Sequence, residues 1–142
     1  MKKSLYFIGT LALLLAPVLG FSSQVMVEDH EHSVEVCSEK SNTVCAHLGF
    51  KWGPLSTSQK GQFIVHALTN TNSTITNLSV DLWMEMEGQG HGSSPVTLTQ
   101  VRPNIYKVTE AYFIMPGEWL VKLAFDLDGV KHTIDIPVNI VE

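Results

Sequence analysis

Basic side chains are scarce in this sequence. Nine Lys and Arg stand against fourteen Asp and Glu, a net charge of −5 with His neutral. That shortage excludes the positive footprint that nucleic-acid binding requires. Charged residues of either sign make up only 16%, and Val, Ile, Leu and aromatics run throughout, so the composition is not that of a disordered chain. There is no Gly-x-Ser-x-Gly, no His-Glu-x-x-His and no phosphate-cradling glycine loop. With neither an activated nucleophile nor a placed pair of carboxylates, no enzyme activity is expected. At 142 residues the chain is too short for a TIM barrel or a full doubly wound nucleotide-binding fold. No internal repeat or low-complexity linker divides it, and no convincing helical period appears in its apolar pattern.

An apolar run long enough to span a bilayer is also missing. Leu5 to Leu19 is almost wholly apolar, but falls short of the roughly 20 residues a spanning helix needs. Lys2 and Lys3 precede the run, Pro17 breaks it, and Val18 and Gly20 occupy the −3 and −1 positions of a cleavage site. Residues 1–20 therefore read as a secretory signal peptide, and the expected location is periplasmic or otherwise extracytoplasmic. The alternative is an uncleaved N-terminal anchor, the one case in which membrane association is expected. Cleavage after Gly20 removes Lys2 and Lys3 and takes the net charge from −5 to −7.

What remains reads as short strands. Residues 21–33 are polar and acidic, ending in Asp29-His30-Glu31-His32, and are expected to form a flexible tail. Period-two alternation then marks strands at 34–37, 44–52 and 78–86, the last through Leu78, Val80, Leu82, Met84 and Met86 with Trp83 as the exception. Residues 62–68 are apolar on both sides, as in a central strand. Further strands are expected at 96–101, 105–115, 119–127 and 130–140, with Gly88 to Pro95 a loop and Asp128-Gly129 a two-residue hairpin turn. Seven to eight strands at roughly ten-residue spacing predict one all-β domain over residues 34–142, a small antiparallel β-sandwich.

Cys37 and Cys45 enclose seven residues. In an exported protein the expected state is a disulfide; the alternative is a thiolate metal site using Cys37, Cys45 and His47, the last two at i and i+2 on one strand face. That spacing matches no standard zinc motif. His30 and His32 form a second, weak candidate for Cu(II) or Zn(II) in the tail. His66 and His132 lie within strands and read as hydrogen-bonded structural residues.

The stretch Trp83-Met84-Glu85-Met86-Glu87-Gly88-Gln89-Gly90-His91-Gly92 is the most informative. Met84 and Met86 share a strand face, His91 follows between two glycines that let the backbone bend back, and Met115 ends another strand just before Pro116-Gly117. If those strand ends are neighbours, Met86, His91 and Met115 meet at one rim. Thioether sulfur with imidazole selects Cu(I) over Zn, Mg or Ca, and thioethers remain ligands where thiols would oxidise.

From Val80 to Phe125 the chain resembles the FixH/YtkA-like domains of bacterial exported proteins. The resemblance rests on Met84-x-Met86, Gly90-His91-Gly92, Tyr106 within a strand, and Phe113-Ile114-Met115-Pro116-Gly117-Glu118-Trp119. It implies an immunoglobulin-like sandwich associated with copper handling, including cytochrome oxidase maturation and metal efflux. It implicates Met86, His91 and Met115 as Cu(I) ligands, with Met84 a further candidate and Trp119 a core residue beneath the site. Glu85 and Gln89 stand where many relatives carry Pro and a further Met. The expected function is that of a Cu(I) carrier or chaperone passing copper to an accepting or exporting protein partner. The alternatives are a metal-free interaction module of an exported or membrane complex, and a thiol-redox or metal-insertion factor built on Cys37 and Cys45.

Overall fold

The computed structural model describes residues 31–33, 35–86 and 89–142; the expected signal peptide and most of the expected tail, His30 included, lie outside them. Described strands are β1 (Glu31–His32), β2 (Val36–Ser38), β3 (Ser41–Phe50), β4 (Gly61–Thr69), β5 (Thr76–Met86), β6 (Gln89–Gly92), β7 (Thr97–Arg102), β8 (Ile105–Ala111), β9 (Gly117–Leu127) and β10 (Val130–Ile140). No helix occurs among the described residues. All the strand pairings are antiparallel. One sheet runs β1-β3-β4-β8-β7, with β2 also pairing β3; the other runs β10-β9-β5-β6. The two pack as a β-sandwich, as the strand spacing predicts.

Period-two alternation explains the core. Val44, Ala46 and Leu48 of β3, Phe63, Val65 and Ala67 of β4 and Val108 of β8 point inward from the first sheet. Val80, Leu82 and Met84 of β5, alternate residues of β9 from Trp119 to Leu127, and Ile134 to Ile140 of β10 meet them from the second. Fully burying an aliphatic or aromatic side chain of this size contributes roughly 1.5–3 kcal/mol against leaving it in water, so the alternation fixes which face each strand presents.

Turn chemistry sets the connections. Asp128 and Gly129 both take positive φ, 50° and 78°, as a two-residue hairpin joining β9 to β10 requires. Asn104, at φ 62°, turns β7 into β8. Its side chain accepts from the Ile75 amide at 2.8 Å and donates to Ser73 O at 3.1 Å, clamping the approach to β5 onto the other sheet.

Three sequence expectations change. Glu31 and His32, assigned to the tail, pair with Phe50 and Gly49 of β3, and the Ser33 amide donates to Leu48 O at 2.9 Å. Thus β1 and β2 continue one edge, which a sequence with so short an alternating stretch does not announce. Gln89 to Gly92, expected in a loop, is a strand. β3 ends at Phe50, and Trp52 lies exposed under the Lys107 ammonium, 4.6 Å from its ring centre.

Candidate metal centre at the rim of the sandwich

The hairpin β5–β6 carries the site. Its register sets Trp83 opposite Gly92, Met84 opposite His91, Glu85 opposite Gly90 and Met86 opposite Gln89. Directly opposed residues share a face. Met84 and His91 therefore form one cross-strand pair on the inner side, with Met86 and Gln89 the next pair along. Met84 is buried in the core, His91 is half-buried, and Met86 is 45% exposed, because it lies where the hairpin runs past the cover of the other sheet.

The two glycines flanking His91 have a role the sequence reading missed. A Cβ on Gly90 would lie 1.9 Å from the Trp83 ring, and one on Gly92 3.7 Å from it. The Trp83 indole lies against β6; at position 90 only glycine leaves space for it, and at position 92 a Cβ would just touch it. Lys122 Nζ, 5.6 Å from the ring centre, lies over the same indole. The glycines thus give β6 a bare outer face under a tryptophan rather than a bend, and the strand they form points His91 inward. The signal was present: Gly90 and Gly92 are two apart, hence on one strand face, opposite the one large residue that breaks the alternation of β5.

Met115 arrives from the segment between β8 and β9. It is half-buried against the core. Its carbonyl accepts the Trp119 Nε1–H at 3.1 Å; Trp119, 1% exposed, packs edge-on to Phe113 with ring centres 5.3 Å apart. Trp119 is the core residue beneath this turn that the resemblance implied. Gly117 follows at φ 128°, and a Cβ there would come within 2.9 Å of Met84 Cε. The Met84 methyl therefore reaches the turn that begins two residues earlier at Met115. Tyr112 and Ile114, 44% and 58% exposed, form an apolar collar on the same turn.

The cysteines resolve differently from one of the two expectations. Cys37 and Cys45 are directly opposed on β2 and β3 and joined as a disulfide. This is the expected bond, and it removes both thiolates from the alternative Cys37–Cys45–His47 metal site. The donor beside the pair is Glu35, not His47: Glu35, Cys37 and Cys45 form the sole cluster of three His, Cys, Asp or Glu ligand atoms within 4.8 Å among the described residues. His132 is structural, as expected: it is buried, with Nδ1 3.1 Å from Ser38 Oγ and its ring stacked on Phe125. His32 is described by its backbone pairing with Gly49.

A protein-family model described as YtkA-like matches residues 38–124, which takes in β3 to β8 and most of β9. No curated protein and no solved structure matches the chain significantly.

Proposed function

Because the chain belongs to the YtkA-like family, we propose that it is an extracytoplasmic Cu(I)-binding protein that carries copper to or from a protein partner. The ligands are drawn from Met84, Met86, His91 and Met115. The observation that carries the reading is the direct cross-strand pair of Met84 and His91, with Met86 exposed one pair further out and the Met84 methyl against the turn that holds Met115. The donor set fits the cargo: two or three thioethers and one imidazole prefer Cu(I) to harder ions. The disulfide supports an oxidising compartment, where thioethers persist as ligands. Transfer follows from position. Met86 is exposed in the last pair of the hairpin, next to the connection between β5 and β6, so an incoming ligand from a partner reaches copper by displacing it first, while the buried Met84 and the half-buried His91 hold on longest. The collar of Tyr112 and Ile114 supplies apolar contact for that partner.

An anaerobic Cu(I) competition titration tests this. The expected result is stoichiometric binding that weakens at least tenfold in Met86→Ala, His91→Ala and Met115→Ala. Binding no tighter than that of an unrelated acidic protein overturns the reading in favour of a metal-free interaction module using the same collar.

A further inference from the structure

A pair of imidazoles lies on the outer face of the six-stranded sheet, away from the rim. β3 and β4 are in register with His47 opposite His66. Val44, Ala46, Leu48, Val65 and Ala67 fill the inner face of these strands, so the alternation turns His47 and His66 outward together. Their ring centroids are 4.9 Å apart at an interplanar angle of 76°, and both are half-buried.

That separation has a chemical meaning. Two imidazoles on one ion, with metal–nitrogen bonds of about 2.0 Å and a ligand angle between square and tetrahedral, have ring centres about 4.5–5 Å apart. The observed pair is within that range with no strand movement. The next outward position of β3 is Gly49, which is buried and pairs with His32 of β1 and Ile64 of β4. On the other side lies Cys45, closed in its disulfide. Each of the two residues has a further interaction in the fold. Ligation through one ring nitrogen leaves the other for such a contact, as is usual for metal-bound histidine.

We propose that His47 and His66 form a two-imidazole site for Cu(II), with water completing its coordination. Imidazole suits borderline divalent ions, and among these Cu(II) binds such donors most strongly. The site differs in chemistry from the thioether rim, and the proposal does not rest on the Cu(I) reading. A protein with both sites separates the two oxidation states of copper between its two ends of donor softness.

The test uses Cu(II) itself with the disulfide-bonded protein. In nuclear magnetic resonance spectra, substoichiometric Cu(II) is expected to broaden the ring signals of His47 and His66 first, before those of His91 and His132; this readout needs no variant. Electron paramagnetic resonance should show two equatorial imidazole nitrogens. Affinity should fall at least tenfold in His47→Gln and in His66→Gln, and the double variant should bind no worse than either single one, because either loss already breaks the chelate. Met86→Ala and Met115→Ala should leave Cu(II) binding unchanged. The proposal is overturned if Cu(II) binding survives in the folded His47→Gln/His66→Gln variant, or if it disappears in His30→Ala/His32→Ala with the His47 and His66 signals unbroadened, which would assign it to the N-terminal histidines.

Discussion

The rim of the four-stranded sheet and the outer face of the six-stranded sheet use the same device to opposite ends. Both place side chains of chemical interest directly across a pair of antiparallel strands: Met84 with His91 at the rim, Cys37 with Cys45 and His47 with His66 on the face. At the rim, the donors face inward and one of them is part of the core. On the face, they point outward and the core beneath is purely aliphatic and aromatic. The proposed Cu(I) chemistry at the rim is therefore coupled to packing, whereas the proposed Cu(II) chemistry on the face is separable from it. Substitutions that damage one region should leave the other intact, to an extent set by how deeply each is built into the core.

The largest effect is expected at Trp119. Trp119→Ala removes a fully buried indole, its edge contact with Phe113 and its hydrogen bond to Met115 O. It should cost about 3–5 kcal/mol, measured by denaturant unfolding, and should weaken Cu(I) binding in whatever fraction stays folded. Loss of stability without loss of Cu(I) affinity would show that Met115 is held independently of Trp119.

Removal of the disulfide comes next. Closing so short a loop stabilises by roughly 2–3 kcal/mol on the chain-entropy model. The Cys37→Ser/Cys45→Ser variant should lose that much and keep its rim, with Cu(I) affinity in the folded protein unchanged. A parallel loss of Cu(I) binding would break the separation between the two regions.

A smaller loss is expected where Trp83 covers β6. Gly90→Ala drives a methyl into the Trp83 ring and should cost about 1–3 kcal/mol. Trp83→Ala in the same chain should restore most of it, and the non-additivity of this double-mutant cycle is the measurement.

How much of this was legible in the sequence follows from what each signal depends on. Strands with one buried face declare themselves by alternation, and β5, β9 and β10 match the sequence reading to within two residues. The disulfide and the Asp128-Gly129 turn were readable because they depend on compartment and on local backbone preference. β6 was not: a four-residue strand with two glycines and no apolar residue has no periodicity to show, and it packs against a tryptophan from its partner strand. Treating it as a loop left the partner of His91 unassigned between Met84 and Met86, a choice that only register decides. The His47–His66 pair was hidden for the same reason. Each histidine was visible alone, but their juxtaposition requires the β3–β4 register, and no local signal carries a pairing across nineteen positions.

The smallest effect is expected where the two sheets are tied by a polar contact. Tyr106 of β8 donates its hydroxyl to Ile75 O, just before β5, at 3.4 Å, and burial raises its phenol pKa above the ordinary value of 10.0. The folded protein therefore keeps the proton to a higher pH than the unfolded chain does. Its contribution is complete below pH 10 and is lost as pH rises through the folded value. Lys60, whose hydrogen bond to Glu110 raises its pKa above 10.5, acts in the same direction and the same window. Tyr106→Phe should cost about 0.5–1.5 kcal/mol at neutral pH and flatten the decline in unfolding midpoint above pH 10, leaving the part due to Lys60. Since Tyr106 joins one sheet to the approach of the other, its removal should weaken Cu(I) and Cu(II) binding equally or not at all. An effect on one metal alone would show that the tie serves that site rather than the packing between the sheets.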